Sequence, residues 1–210
     1  QMVVPKGAVR LLGKLAEWSD RGVDIHVFVG NHDLWMRDYL PRELGITVHH
    51  RPIVTELMGK RFLIGHGDGL GPADYGYKRL RKIFTNPLCQ WIFRWLHPDL
   101  GMRLAQYASL TSRDALTAPE RFLGPKREWL LQYATRKLQQ LPDTDYFIFG
   151  HRHLPLDIEL HNGHSRYINL GEWLQACTYA EFDGHQLYLK AFEQPDYRPF
   201  KASVNTLTTT

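Results

Sequence analysis

The sequence repeats one construction three times: a short apolar run ends at a glycine, and polar residues follow at once. The three runs are residues 27–29, 62–64 and 146–149, and the glycines are Gly30, Gly65 and Gly150. Short runs rich in aromatic and β-branched residues that stop at glycine are typical of buried strands. If these strands lie side by side, the polar residues that follow them meet at one edge of a sheet. The pattern therefore predicts an α/β fold with its site at that edge.

The residues directly after the three glycines carry side chains that bind metal ions. They are Asn31, His32 and Asp33 in the first case, His66 in the second, and His151 and His153 in the third. Imidazole combined with amide or carboxylate oxygen favours Mn²⁺, Fe or Zn²⁺ over Ca²⁺ or Mg²⁺ alone. Two such ions about 3.5–4 Å apart can clamp a phosphate group during its hydrolysis. The pattern therefore predicts a metal site, and a two-metal arrangement of this kind needs about half a dozen ligands, including a carboxylate that bridges the metals.

The segments between the three runs indicate helices and further strands. We predict helices over residues 7–21, 34–39 and 126–140, with Pro41 ending the second. Residues 55–58 and 61–64 predict a hairpin whose Gly59-Lys60 loop suits a type II′ turn. Residues 156–192 have the pattern of an antiparallel meander that closes the sheet.

Length and composition are those of one good-sized globular domain. The chain has 210 residues, of which 43% are hydrophobic and 23% charged, so a substantial core is available. We assign residues 1–194 to this domain, residues about 72–124 to a helical insertion within it, and residues 195–210 to a flexible tail. Cys89 and Cys177 stand far apart and outside any C-x-x-C pattern, so we interpret them as free thiols.

The three polar blocks resemble the later sequence blocks of the calcineurin-like metallophosphoesterases, in the same order. Residues 30–33, 65–66 and 150–153 read G-N-H-D, G-H and G-H-R-H, and the family has G-N-H-D/E, G-H and G-H-x-H. The resemblance implies a β-sandwich flanked by helices that binds two divalent metal ions. It implies that Asn31, His66 and His151 hold one metal ion and that His153 holds the other. His32, held by Asp33, would stabilise the transition state or protonate the leaving group.

Further segments narrow the resemblance to the UDP-2,3-diacylglucosamine diphosphatases, in particular their Bacteroidetes-like branch. These segments are residues 3–7, 66–71 and 171–173 and the basic aromatic stretch after residue 74, so the resemblance covers nearly the whole chain. It implies cleavage of the pyrophosphate bond of UDP-2,3-diacylglucosamine to UMP and 2,3-diacylglucosamine 1-phosphate (lipid X), a step of lipid A synthesis. It also implies Mn²⁺ as the first choice of metal, and a cytoplasmic protein peripheral on the inner membrane.

The basic aromatic stretch predicts a helical lid. Apolar residues recur there at steps of three and four, namely Leu80, Phe84, Leu88, Trp91, Ile92 and Trp95. Five cations accompany them without an acidic residue between positions 75 and 98, namely Lys78, Arg79, Arg81, Lys82 and Arg94. We expect the apolar face to shelter acyl chains, and the cations to meet the diphosphate and the anionic membrane surface. The alternative is an ordinary core helix with solvated charges.

The resemblance also implies which residues contact the substrate. Asp74 is the candidate for a substrate-binding carboxylate, and Ser109 and Arg113 are candidates for contacts with the sugar phosphate. The complete predicted set is Asn31, His32, Asp74, Lys78, Arg79, Arg81, Ser109, Arg113 and His151.

The family's first two blocks, D-x-H and G-D-x-x-D, have no counterpart between residues 1 and 29. In the family these blocks provide the aspartate that bridges the two metals and further ligands of the first ion. We expect them to lie in roughly fifty residues upstream of Gln1, the usual size of a strand–helix–strand unit. Without them we expect weak metal binding and little catalysis.

Two other functions remain open at this point. One is a general metallophosphoesterase that acts on other phosphoesters, although a soluble substrate gives no reason for a basic aromatic lid. The other is a non-catalytic membrane-associated module in which the lid binds anionic lipid. Nucleic-acid binding is disfavoured, because the aromatic residues lie on one apolar helical face rather than alternating as platforms for base stacking.

Overall fold

The computed structural model describes residues 7–71, 75–95, 99–101, 103 and 121–207. The chain divides into two compact units, one of residues 1–51 with 75–117 and one of residues 52–74 with 118–210. No helix in the described part of the chain combines the length and the apolar character needed to span a bilayer. Cys89 and Cys177 are free thiols, as predicted.

The first unit contains a small parallel sheet and short helices. Its elements before residue 52 are α1 (Val9–Asp20), β1 (His26–Phe28), α2 (Tyr39–Leu44) and β2 (Thr47–His49), and β1 pairs with β2. Gly22 follows the cap of α1: its φ of 83° lies in the left-handed region that favours glycine, and its N–H donates to the Ser19 carbonyl.

The predicted helix at residues 34–39 is wrong. Residues 34–38 form turns and bends, and α2 begins at Tyr39, so Pro41 lies inside the first turn of a helix instead of ending one. Proline is tolerated there because the N–H groups of the first turn have no partner within the helix.

Two further helices of the first unit carry the basic aromatic stretch, α3 (Tyr75–Phe84) and α4 (Pro87–Arg94). Asn86 caps α4: its side chain accepts hydrogen bonds from the Leu88 N–H at 2.9 Å and the Cys89 N–H at 3.3 Å. Trp35 anchors this pair of helices, since its indole N–H donates to the Phe84 carbonyl and its ring packs edge-on against Phe93 at 4.6 Å.

The second unit is built on a six-stranded mixed sheet. In sequence order its strands are β3 (Ile53–Leu57), β4 (Lys60–Gly65), β5 (Tyr146–Phe149), β6 (Leu156–Glu159), β7 (Arg166–Asn169) and β10 (Phe200–Ser203). In space the order is β10-β6-β7-β5-β4-β3. The strands β4, β5 and β7 run parallel, so their carboxyl ends lie at one edge.

Both faces of this sheet are covered. Phe147 and Phe149 point to one face and pack against α5 (Trp129–Gln140) in a core with Leu130 and Ala134. Tyr146 and Ile148 point to the other face and pack against the hairpin of β8 (Thr178–Phe182) and β9 (Leu187–Ala191). All four residues of β5 are buried, as expected for a central strand covered on both sides. The predicted mixed α/β class, a sheet flanked by helices, is confirmed. The second sheet, which faces the six-stranded sheet, consists of β8 and β9 in the described part of the chain.

Three details of the second unit differ from the sequence prediction. The β3–β4 loop is Met58-Gly59, with φ values of 49° and 77°, so two residues of positive φ form a type I′ turn one position earlier than predicted. The predicted meander is split: β6 and β7 join the main sheet, whereas β8 and β9 form a sheet of their own.

The third difference concerns the predicted flexible tail. Residues 200–203 form β10, which pairs in parallel with β6, and a short helix α6 (Val204–Leu207) follows. The polar composition suggested a tail, but the pairing with β6 satisfies the backbone of this segment, and Ala202, Val204 and Leu207 pack on the helix-side core.

Candidate active site

The second and third polar blocks lie next to each other at the carboxyl edge of the sheet. Gly65 at the end of β4 stands opposite Phe149 at the end of β5, and the Gly150 N–H donates to the His66 carbonyl at 2.9 Å. The rings of His66 and His151 meet edge to face, with centroids 5.2 Å apart. Because both strands run in the same direction, the sequence prediction that these two blocks meet is confirmed.

His151 occupies an unusual backbone conformation. Its φ is 65°, and the Arg152 N–H donates to the Gly150 carbonyl at 2.7 Å across it. This is a three-residue turn of the rare positive-φ kind, which is strained for a residue with a side chain. The turn directs the histidine out of the strand, toward His66.

The space around His151 is tightly bounded. The Trp129 ring lies edge-on to the imidazole, with centroids 5.6 Å apart. A Cβ added at Gly67 would stand 3.3 Å from the Cβ of His151 and 3.2 Å from a methyl group of Leu130, and the φ of Gly67 is 118°. Glycine is therefore required at position 67 both for its backbone conformation and for the close approach of His151.

His153 is exposed at the end of the same turn, and the carboxylate of Glu172 lies near it. The Glu172 carboxylate accepts hydrogen bonds from the N–H groups of Leu174, Gln175 and Ala176. Burial acts to raise the pKa of Glu172, but the three N–H groups outweigh it and, with a smaller electrostatic contribution from the nearby His153, hold the pKa below its ordinary value. Glu172 is therefore an anionic group associated with His153.

The first polar block follows β1 in the first unit. Asn31 is half-buried, while His32 and Asp33 are exposed in a turn that the Asp33 N–H closes onto the Gly30 carbonyl at 3.1 Å. The expectation that all three strands lie side by side is wrong for β1, which pairs with β2 and is not a member of the six-stranded sheet. A local apolar run specifies a strand but not its neighbour, because pairing depends on contacts distant in sequence.

The predicted substrate-binding cations lie on α3. Arg79 is exposed, Lys78 and Arg81 are half-buried, and Arg81 donates to the His50 carbonyl at 3.4 Å. Asp74, Ser109 and Arg113 lie outside the residues that the structure describes.

The described residues bring only some of the predicted metal ligands together. Among them, no group of three or more His, Cys, Asp or Glu side chains is placed to hold a metal ion. His66 and His151 bring two imidazoles together, and imidazole is a suitable donor for Mn²⁺, Fe or Zn²⁺. A two-metal site needs more ligands than these two.

Sequence reasoning missed the polar side chains on the helix-side face of the sheet near the G-H-R-H turn. They are Glu128, Arg152, Tyr167 and Asn169, and they form hydrogen bonds and an ion pair with one another. One signal was present in the sequence: Asn169 is a polar residue within the apolar run of residues 167–170, two positions before Gly171. The tertiary structure was needed to join the four.

Comparison with known proteins gives close relatives. The chain is 39% identical over 204 residues to a UDP-2,3-diacylglucosamine hydrolase of Porphyromonas gingivalis, covering 91% of this chain and 77% of the relative. It is 29% identical over 185 residues to a protein of the same name from Ectopseudomonas mendocina, covering 87% and 75% of the two chains. A Pseudomonas putida protein of that name is 28% identical over 177 residues, covering 83% and 72%.

The other comparisons add little. No family model matches the chain. A Thermotoga maritima protein solved by NMR in solution is 18% identical and covers 86% of this chain and 74% of its own, but its TM-score of 0.36 is too low to support an argument.

Paired G-H blocks at the carboxyl edge of a mixed sheet agree with the sequence blocks of the calcineurin-like metallophosphoesterases, the class of metal-dependent hydrolases that the relatives support. The relatives then narrow the class. With 39% identity across most of both chains, this chain belongs to the UDP-2,3-diacylglucosamine hydrolase family.

Proposed function

We propose that this protein hydrolyses the pyrophosphate bond of UDP-2,3-diacylglucosamine and releases UMP and 2,3-diacylglucosamine 1-phosphate (lipid X), a step of lipid A synthesis. The observation that carries the proposal is the pair of His66 and His151, with ring centroids 5.2 Å apart at the end of two parallel strands. The relatives named for hydrolysis of this substrate support it, since they match this chain over most of its length.

The roles of the site residues are part of this proposal. Asn31, His66 and His151 would hold one divalent metal ion, and His153 the other, with Mn²⁺ preferred by the mixture of imidazole and amide donors. The metal ions would supply Lewis-acid stabilisation of the charge that develops on the phosphate. His32, oriented by Asp33, would stabilise the transition state or donate the proton that the leaving group needs.

The exposed apolar side chains of α4 and of Trp95, which caps its end, support a lid over the acyl chains. Leu88, Trp91, Ile92 and Trp95 are 63%, 54%, 54% and 75% exposed, which an ordinary core helix would not be. Lys78, Arg79 and Arg81 lie on α3 and would meet the diphosphate or the anionic surface of the inner membrane. We therefore propose that residues about 72–124 form the lid insertion and that the protein works peripherally on that membrane.

The direct test is release of UMP from UDP-2,3-diacylglucosamine by the protein expressed from its complete gene. We expect release that requires Mn²⁺ and that stops when a chelator removes the metal, because the phosphate charge then loses its stabilisation. An aryl phosphodiester measures general phosphoesterase activity alongside. Cleavage of the aryl ester without release of UMP would show that the proposed lipid substrate is wrong and would favour a general phosphoesterase.

The lid is tested with a paired replacement, Trp91→Ser with Trp95→Ser. We expect at least about tenfold weaker binding to vesicles of phosphatidylcholine and phosphatidylglycerol, because two exposed indole rings no longer insert into the interface. The measurement is vesicle co-sedimentation. Trp173→Ser is the matched control, since Trp173 is also 60% exposed but lies outside α3 and α4.

Two results would change the conclusion on the lid. Equal vesicle binding by the double variant and by the unmodified protein would show that Trp91 and Trp95 do not contribute to membrane binding. Vesicle binding that persists in a protein without any hydrolytic activity would instead favour a non-catalytic membrane module.

A further inference from the structure

We propose that Glu128, Arg152, Tyr167 and Asn169 form a closed polar circuit that fixes the backbone of His151 and thereby positions its imidazole for catalysis. The circuit is defined by these four side chains together with the carbonyl of Gly150. It rests on the proposed function in one respect, since it assigns a catalytic purpose to the position of His151. None of the four is a predicted metal ligand or substrate contact.

The need for such a device arises from the strain at His151. A residue with a side chain at a φ of 65° is held in a sparsely populated region, so the surrounding structure must impose that conformation. The hydrogen bond from the Arg152 N–H to the Gly150 carbonyl closes the turn locally. One local hydrogen bond does not fix the direction of the whole turn, so anchors on its two flanking residues are required.

The circuit begins at Arg152, directly after His151. An Nη1 atom of Arg152 lies 3.1 Å from Oε2 of Glu128, whose side chain is 2% exposed. The other carboxylate oxygen, Oε1, accepts a hydrogen bond from the Tyr167 hydroxyl at 3.3 Å. A buried carboxylate requires such partners, and here each oxygen has its own.

The circuit returns to Gly150, directly before His151. The Asn169 side-chain amide donates to the Tyr167 hydroxyl at 3.4 Å and to the Gly150 carbonyl at 3.1 Å. Its oxygen accepts from the Gly171 N–H at 3.2 Å, which holds the amide in place. The two residues that flank His151 are therefore connected to each other through one chain of hydrogen bonds and an ion pair.

The direction of the hydrogen bonds is set by the protonation of Tyr167. Burial and the neighbouring Glu128 carboxylate both raise the pKa of the Tyr167 phenol well above its ordinary value. Tyr167 therefore keeps its proton and donates it to Glu128, while its oxygen remains able to accept from Asn169. Each hydrogen bond of the circuit, from Asn169 through Tyr167 to Glu128, therefore has one donor and one acceptor.

The same sheet provides a matched control on its opposite face. Arg166 forms an ion pair with Asp157, with side-chain exposures of 20% and 4%, compared with 19% and 2% for Arg152 and Glu128. Arg166 also donates to the Leu187 carbonyl of the hairpin, so this pair lies on the hairpin side, away from the His151 turn. Replacing either acid by its amide removes one buried charge and keeps the shape.

The experiment compares Glu128→Gln with Asp157→Asn in the full-length protein. Both should lower the urea midpoint of unfolding, because each leaves an arginine without its carboxylate. Only Glu128→Gln should lower kcat, by about 10–100-fold, with KM changed less than about threefold, which is the effect expected when a supporting partner of a ligand is lost. Tyr167→Phe should give a smaller loss of kcat, and Tyr133→Phe, which removes a hydroxyl from the same core, should give none.

A readout that does not depend on turnover separates this proposal from the proposed function. Long-range ¹H–¹⁵N NMR spectra of the histidine rings should show shifted His151 signals in Glu128→Gln and Tyr167→Phe but not in Asp157→Asn. If the protein fails to release UMP while these shifts occur, the substrate is wrong and the circuit stands. If the His151 signals are unchanged, or if Glu128→Gln and Asp157→Asn lose kcat equally, the four residues only stabilise the fold and the inference is overturned.

Discussion

Replacement of His66 or His151 by alanine is expected to lower kcat/KM for release of UMP by about 10²–10³-fold or more, because each removes a proposed ligand of the metal ion that would stabilise charge in the transition state. The two side chains lie at strand ends in the loops, half-buried and outside the two core clusters, so the fold should persist. Hydrolysis is measured at saturating Mn²⁺, and circular dichroism checks the fold.

The control for this prediction is His161→Ala. His161 is exposed in the turn that follows β6, away from the carboxyl ends of β4 and β5, so its removal should change activity by less than about twofold. A double variant of His66 and His151 should be little worse than either single variant, since residues that act as one unit are not additive. Retention of a third or more of the activity in either single variant would contradict the proposed site.

The second large effect is on stability. Phe147→Ala is expected to reduce the free energy of unfolding by about 3–5 kcal/mol, a large part of the roughly 5–15 kcal/mol typical of a domain. Phe147 is fully buried in β5, between Leu63 on β4 and Tyr167 on β7, and it faces α5. Its removal leaves a cavity that the neighbouring strands and helix cannot close. Urea denaturation measures the change.

Phe192→Ala is the matched control, because Phe192 has the same side chain but is 52% exposed beside the ring of Trp173. We expect a loss below about 1 kcal/mol there. Similar losses at the two positions would mean that the helix-side core is not the main source of stability in the second unit.

The local sequence predicted the elements that carry the site well. The run Tyr146–Phe149 is a strand with the predicted bounds, and α4 begins as its local sequence specifies, with Asn86 as cap and Pro87 as first residue. These features depend on neighbours in sequence: apolar spacing, a side-chain oxygen within reach of free N–H groups, and a fixed proline φ.

The sequence predictions that failed concern structure that depends on contacts between residues far apart in the chain. The helix at residues 34–39 was predicted to end at Pro41, yet the proline lies in the first turn of α2, which begins at Tyr39. The tail was predicted from polar composition, yet residues 200–203 complete the sheet beside β6. In both cases the local pattern permitted two structures, and packing selected one.

The sequence alone determined the identity of the candidate ligands, their place after strand-terminal glycines, and the family of the protein, because these are encoded in short contiguous blocks. Only the tertiary structure decided that β4 and β5 are parallel neighbours, so that His66 meets His151, and that β1 pairs elsewhere. It alone joined Glu128 to Arg152, Tyr167 and Asn169 around the His151 turn. Strand order and buried polar networks follow from contacts between residues far apart in the chain, and no local period in the sequence records them.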